Sequence, residues 1–191
     1  MSKIWKHKSY EAYIDAQKKL TDKKYGKIVF VRDSVIESIY KHFKDKNVQS
    51  ILCHGTRTGD EQKLFKKFFG CYVWGSELSE RAQNAEMTTV WDFNKVNEDW
   101  IGKFDLIYSN SFDHCITPKE TLGVWKDQLT ENGRLCIEWT EFHNANNSPG
   151  DPLAATEAEI TEWAEQNGMT LEAEVLKHKA KFQGTVLVYK K

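Results

Sequence analysis

Ile51-Leu52-Cys53-His54-Gly55-Thr56-Arg57-Thr58-Gly59 runs a short apolar stretch into a turn with an arginine between two glycines. The turn opens on Asp60-Glu61-Gln62-Lys63-Leu64-Phe65-Lys66-Lys67-Phe68-Phe69, which has helical spacing. A strand, a tight loop and a helix in that order present free N–H groups at the helix start, where an anionic group is favoured. A second apolar run, Cys71-Tyr72-Val73-Trp74-Gly75-Ser76, ends on Glu77. A carboxylate about 20 residues beyond a glycine turn can accept hydrogen bonds from the two hydroxyls of a ribose. Alternatively, Glu77 stabilises a helix dipole near Ser79. The turn and the acid together point to an adenosine-containing ligand.

A second polar group, Asn110-Ser111-Phe112-Asp113-His114, follows the apolar run 104–109. Ligands of open α/β sheets bind at such carboxyl ends. His114 is a candidate general base with Asp113 orienting it, although Asp113 could equally cap its own loop. Glu141 or His143, after Glu138-Trp139, is an alternative base on the same rim. His54 either orients a ligand or fills space. His7, His42 and His178 have no clear partner and are given no role. No spacing among His, Asp and Glu marks a metal site, so none is expected. The four cysteines, Cys53, Cys71, Cys115 and Cys136, are far apart and form no Cys-x-x-Cys pair. Neither a zinc knuckle nor a thioredoxin-like site is indicated.

The elements that must position these groups follow from hydrophobic period and punctuation. Helices are expected at 8–20, with Tyr10, Tyr13, Ile14 and Gln17 on one face, and at 34–45, with a Ser34–Glu37 capping box. Then come strand 48–53, helix 60–69, strand 71–76, helix 79–85 and strands 88–91 and 104–109. Helix 118–128 starts with Thr117 as cap, Pro118 at its first position and Glu120 closing a box. Strand 133–139, helix 156–167 with a Thr156–Glu159 box, and strands 170–177 and 182–189 complete the chain. This alternation implies an α/β fold: a Rossmann-like, seven-stranded, mainly parallel sheet with helices on both faces. The link His178-Lys179-Ala180-Lys181 is too short for a parallel crossover, so the last strand must run antiparallel. We expect one domain, with residues 1–46 as an N-terminal helical cap and 47–191 as the Rossmann-like core.

Composition bounds the rest. At 191 residues, 40% hydrophobic and 29% charged, the chain suits one globular domain. It has no apolar run of the roughly 20 residues that span a bilayer and no signal-peptide core, so a cytoplasmic protein away from membranes is expected. The net charge of −1 gives no support for nucleic-acid binding. The charge is unevenly spread: residues 1–27 are lysine-rich and 151–174 acidic. That pattern reads either as solvated helix faces or as a basic arm meeting an anionic substrate.

The segment 48–190 resembles the class I S-adenosylmethionine-dependent methyltransferases. Gly55 and Gly59 match the glycines of their first motif, with Cys53 in place of its acid and Arg57 in place of its middle glycine. Some members are similar in both departures, with Gly-x-Arg-x-Gly followed by an acid, and Asn-Ser-apolar-Asp-His after the fourth strand. The resemblance implies S-adenosyl-L-methionine as cofactor, held by His54, Gly55, Thr56, Arg57 and Gly59. It also implies Glu77 on the ribose, Leu78 against the adenine, Asp92 and Phe93 on the adenine edge, and Asn110 and Ser111 near the transferred methyl. Arg57 would pair with the methionine carboxylate or else brace its loop. Asp92 has the alternative of a turn aspartate. Asp105 reads as structural. Asp113, His114 and His143 are the candidate catalytic residues. The polar loop 144–152 is expected to cover the acceptor pocket. The implied activity is methyl transfer to a small-molecule or saccharide-type acceptor by a monomer or homodimer. The amino-methylating signature Asn-Pro-Pro-aromatic of DNA enzymes is absent: Asn110-Ser111-Phe112-Asp113 stands there. Two other readings are a catalytically silent module that binds the cofactor or its demethylated product, and a nicotinamide-dependent oxidoreductase that uses Glu77 on its own ribose.

Overall fold

The computed structural model describes residues 1–176 and 184–191; the expected His178–Lys181 link lies outside the described residues. Five strands pair in parallel: β2 (Ser50–His54), β3 (Tyr72–Glu77), β4 (Thr88–Val90), β5 (Phe104–Ser109) and β6 (Leu129–Thr140). The last two, β8 (Thr170–Val175) and β9 (Gly184–Lys190), are antiparallel to each other, and β9 is antiparallel to β6. The spatial order is β4-β3-β2-β5-β6-β9-β8. This is the seven-stranded Rossmann-like sheet that the alternation implies, with β9 inserted between β6 and β8. The chain leaves β2 toward one edge through β3 and β4, then returns to β5 on its other side. That reversal opens a crevice at the carboxyl ends of β2 and β5, where open α/β sheets bind ligands.

Helices cover both faces. On one face α2 (Asp33–Phe43) and α3 (Asp60–Phe69) pack the stripe Val35, Ile36, Ile39, Phe43 and Phe65 against Ile51, Cys53, Leu106 and Tyr108. On the other, α4 (Pro118–Gln128) and α6 (Glu157–Gln166) pack Leu122, Trp125, Ile160 and Ala164 against Leu52, Ile107, Leu135 and Ile137. The buried residues alternate along β5 because successive side chains point to opposite faces. The helix α2, counted with the N-terminal cap in the sequence, is thus one of the sheet's covering helices. By contrast, α1 (Tyr10–Lys24) reaches residues that line the carboxyl-end crevice, through Tyr10, Tyr13, Gln17 and Thr21. A two-residue pair between β1 (Lys3–Ile4) and β7 (Leu153–Ala154) ties the N-terminus to the segment after β6.

Several local expectations are corrected. Helix α2 starts at Asp33 with Arg32 as N-cap, so Ser34 lies inside the first turn and forms no capping box. Thr117 also makes no cap bond; its hydroxyl turns toward Thr121 Oγ1 at 3.5 Å. The Thr156–Glu159 box does form. The expected helix 79–85 is a 3₁₀ segment, Glu80–Asn84, and part of the expected loop 144–152 belongs to a short helix α5 (Glu141–Ala145). Asp105 is structural: its Oδ2 accepts from the Gln49 and Ser50 amides at 2.9 and 3.1 Å, fastening β5 to the start of β2.

Candidate active site

The turn after β2 is shaped by three residues with positive φ: Gly55 at 76°, Arg57 at 43° and Gly59 at 79°. Only glycine fits at 55, because a Cβ there would stand 2.6 Å from the Ser111 Cβ. The Gly55 and Thr56 amides donate to the Ser76 carbonyl at 2.9 and 3.2 Å, and Ser111 Oγ donates to the Gly55 carbonyl at 3.2 Å. The turn is therefore locked between β3 and the loop after β5. Thr56 is buried, with its Oγ1 accepting from Gln62.

Two adjoining cavities run along this edge. The larger, about 460 Å³, is bounded by Gly55 and Arg57 of the turn, Glu77 and Leu78 after β3, and Asp92 and Phe93 after β4. Ser111 and His114 form its wall after β5, and Tyr13, Gln17, Leu20 and Thr21 of α1 its roof. The smaller, about 270 Å³, shares Gly55, Arg57 and Ser111 and extends past Phe30 to Glu61 and Asn110. Gly59 sits at the helix start behind the turn, bounds neither cavity and gives α3 its left-handed cap.

Glu77 is buried and heavily used. Its Oε2 accepts from the Arg57 amide at 2.8 Å; its Oε1 accepts from the Leu78 and Ser79 amides at 2.9 and 3.1 Å and from Thr21 Oγ1 at 3.3 Å. Each carboxylate oxygen offers about two lone-pair directions, so Oε1 is fully engaged and Oε2, with one donor, keeps one direction for a further one. Asp92 is similarly engaged: Oδ1 accepts from the Asn94 amide and side chain at 2.9 and 2.7 Å, and Oδ2 accepts from Tyr10. Side chains of α1 thus touch both acids that the resemblance assigns to adenosine.

Arg57 lies over the Phe30 ring, 5.1 Å from its centroid, and donates from one amino group to the Ile28 carbonyl at 3.3 Å. Its Nε is buried without a partner among the described residues. Burial pulls the guanidinium's pKa down, opposed by Glu77 and Glu61. Glu61, which the sequence reading left unassigned, is buried at the end of the smaller cavity, with Asn110 Nδ2 at 3.4 Å. Burial pushes its carboxyl up to about 8. The signal for it in the sequence was faint: an acid one place inside the helix after a turn that lacks the usual strand-end acid.

His54 does not border either cavity. Its Nδ1 meets Ser76 Oγ at 2.7 Å and its Nε2 meets Gln128 Oε1 at 2.9 Å, while the ring stacks on Trp125 at 4.8 Å. Burial lowers its pKa to about 4, which keeps it neutral. The ligand-orienting role for His54 is therefore replaced by a core role: it ties β2 to β3 and α4. Glu138 also leaves the rim. It is buried on the other sheet face, where it accepts from Arg32 at 3.0 Å and Tyr108 at 2.7 Å.

Past Ser111 the fold gathers Asp113, His114, His143 and Asp151. His114 Nε2 is 3.8 Å from Asp113 Oδ1 and 4.0 Å from Asp151 Oδ1; His143 Nε2 is 3.8 Å from Asp113 Oδ2. The ring tautomers follow from what faces the other nitrogens. His114 Nδ1 meets two acceptors, Gln17 Oε1 and the Gly150 carbonyl, both at 2.8 Å, so it carries the hydrogen. His143 Nδ1 accepts from the Thr140 amide at 3.2 Å, so its hydrogen lies on Nε2, toward Asp113. His114 alone of the two keeps a free lone pair on Nε2. The spacing along the chain conceals this grouping, because Asp151 arrives on the loop after α5.

The same architecture recurs among solved structures. The 1,6-didemethyltoxoflavin-N1-methyltransferase of Burkholderia thailandensis, solved with 1,6-didemethyltoxoflavin and S-adenosylhomocysteine bound, has a TM-score of 0.72 at 17% identity, covering 98% of this chain and 92% of that one. The magnesium protoporphyrin IX methyltransferase of Synechocystis PCC 6803, solved with S-adenosylmethionine, has a TM-score of 0.65 at 14% identity, covering 97% and 100%. The [4+2]-cyclase SpnF is also similar, with a TM-score of 0.66 at 10% identity over 83% and 80% of the two chains. No family model and no curated protein matches the sequence. At such identities the likeness shows the fold alone. Among the described residues, no helix is long and apolar enough to cross a membrane.

Proposed function

We propose that the protein is an S-adenosylmethionine-dependent methyltransferase acting on a small-molecule or saccharide-type acceptor. The observation that carries this reading is the order of groups along one edge of the sheet. Asp92 and Phe93 beyond β4, Glu77 at the end of β3 and Arg57 after β2 follow the strand order β4-β3-β2, and Glu61 of α3 stands at the smaller cavity. That order suits an adenine, a ribose and an amino-acid end. The cradle at Gly55, the spare direction on Glu77 Oε2 and the partnerless Arg57 Nε support the fit.

Glu77 accepts one ribose hydroxyl at Oε2 and the other at Oε1 in place of Thr21 Oγ1, and Leu78 and Phe93 pack the base. Arg57 takes the methionine carboxylate as a charge-assisted pair. Glu61 supplies the anion for the ammonium group, in place of an acid at Cys53. Because Glu61 is held near pKa 8 by burial, an incoming ammonium displaces its proton near neutral pH. Asn110 and Ser111 line the path from this end toward Asp113 and His114. When bound, the cofactor supplies an electrophilic methyl group, and orientation of the acceptor against it supplies much of the acceleration. A hydroxyl acceptor must give up a proton, and the Asp113–His114–Asp151 group surrounds the place where it leaves. His143, through its Nε2 hydrogen, positions Asp113.

A catalytically silent module that binds the cofactor or its demethylated product is the second reading, and the loss of the strand-end acid at Cys53 favours it. Calorimetry with S-adenosylhomocysteine and with NADH tests the cofactor: binding of the first and not the second is expected, and the reverse overturns the proposal. Transfer of a labelled methyl group from S-adenosylmethionine into any component of a metabolite extract would exclude the silent module.

A further inference from the structure

We propose that Asp113 Oδ1, His114 Nε2 and Asp151 Oδ1 form a binding site for a first-row divalent cation of the Mn²⁺ or Zn²⁺ type beside the acceptor end of the cleft. The three ligand atoms lie within 4.8 Å of one another. With two of the separations at 3.8 and 4.0 Å, a central point lies about 2.5 Å from all three, against about 2.0–2.2 Å for bound first-row ions. Small side-chain rotations close that difference.

The electrostatics ask for a cation. With the hydrogen of His114 fixed on Nδ1 by Gln17 and Gly150, its Nε2 lone pair faces two carboxylate oxygens. Three electron-rich atoms then converge on one point. Among the described residues, Asp113 Oδ1 has moreover no hydrogen-bond partner although it is buried, and the residue is only 3% exposed. An orphaned buried carboxylate oxygen is costly unless something positive meets it. Among the described residues, no lysine or arginine is within ion-pair distance of Asp113 or Asp151; only the His114 and His143 imidazoles come within 4.0 Å. Lys24 feels both carboxylates, but its ammonium stands over the Phe30 ring at 5.4 Å.

The surroundings have the form of an outer shell. Gln17 and Gly150 orient the His114 ring, as the non-ligating nitrogen of a metal-bound histidine usually requires. His143 directs its Nε2 hydrogen at the other oxygen of Asp113, which leaves Oδ1 to face inward. Two carboxylates and one imidazole suit a borderline divalent ion rather than a thiolate-seeking one. Three protein ligands leave coordination positions open, and His114 borders the cleft. If the methyltransferase reading holds, the ion would select an acceptor that presents an oxygen to it and would ease loss of a hydroxyl proton there. The cation site itself does not depend on that reading.

The test uses the full chain after treatment with a chelator and dialysis. Titration with MnCl₂, followed by electron paramagnetic resonance, should show one bound ion per chain, displaced by ZnCl₂, with nitrogen coupling from an imidazole. Asp113→Asn and Asp151→Asn should each weaken binding by roughly tenfold or more, with unchanged circular dichroism. Should Asp113→Asn fail to fold, Asp151→Asn on its loop still decides the matter. No bound Mn²⁺ or Zn²⁺ in a large molar excess of ion overturns the proposal. Equal affinity in the folded variants and the parent overturns it as well. Calorimetry with S-adenosylhomocysteine on the same samples separates the two claims. Binding of the nucleoside without the ion removes the cation site only, and binding of the ion without the nucleoside removes the cofactor reading only.

Discussion

The two ends of the cleft are built differently. At the adenosyl end, Glu77 and Asp92 already accept hydrogen bonds from backbone amides and from helix α1, so their cost of burial is met within the chain. At the acceptor end, Asp113, His114, His143 and Asp151 face one another at 3.8–4.0 Å, too far for hydrogen bonds, and one buried oxygen has no partner. The first end is a finished network that a ligand must join; the second is an unfinished one that a ligand must complete. Stability and function are therefore expected to separate along the cleft.

The largest expected effect breaks the finished network. Glu77→Ala leaves the Arg57, Leu78 and Ser79 amides without their acceptor and should cost about 3 kcal/mol of folding stability or more. Affinity for S-adenosylhomocysteine should fall by about 1–3 kcal/mol. Urea unfolding and calorimetry measure the two; unchanged affinity in a folded variant would refute the ribose assignment. Asp113→Asn is the counterpart. Its Oδ1 has no bond to lose, so folding stability should change by less than about 1 kcal/mol, while methyl transfer falls by at least about 100-fold. A large loss of stability there would erase the contrast between the two ends.

Glu61 sharpens the comparison through pH. Its carboxyl sits near 4.5 in the unfolded chain and is pushed up to about 8 in the folded one by burial. Between those values the folded state keeps a proton that the unfolded state has lost. Stability should therefore decline as pH rises from about 5 to 8, by roughly a few kcal/mol in all. Glu61→Gln should flatten this profile in urea titrations at several pH values. The parent should also release close to one proton on binding S-adenosylhomocysteine at neutral pH, read from calorimetry in buffers of different ionisation enthalpy; no release would contradict the ammonium assignment. The smallest effect comes from Tyr10→Phe, which frees Asp92 Oδ2. Affinity for the nucleoside should rise by up to about 1 kcal/mol, and a fall would mean that Tyr10 helps to hold the ligand.

The proposed adenosyl end is legible because it is local. The turn 55–59 and the acid at 77 lie within two adjacent strand–loop units, and glycine with positive φ leaves a recognisable mark. The parallel sheet and its antiparallel ending could likewise be read from alternation and from the short last connection. The acceptor end was legible only in part. Asp113 and His114 stood out as a pair, but Asp151 reaches them from a distant loop, and no periodicity encodes that meeting. The weaker readings failed for physical reasons. Of the two readings of His54, ligand orientation gives way to space-filling, because strand pairing turns its ring into the aromatic core against Trp125. Ser34 looked like a cap, yet the helix begins at Asp33. Glu61 is hidden among the charged residues Asp60, Lys63, Lys66 and Lys67 of its helix, and only packing reveals that it is buried.

The central claim is best tested by a crystal structure of the full chain grown with saturating S-adenosylhomocysteine. The account predicts adenosine between Leu78 and Phe93, ribose hydroxyls on Glu77, and the amino-acid end between Arg57 and Glu61. A vacant crevice, free of packing obstruction, or the nucleoside bound elsewhere would contradict it.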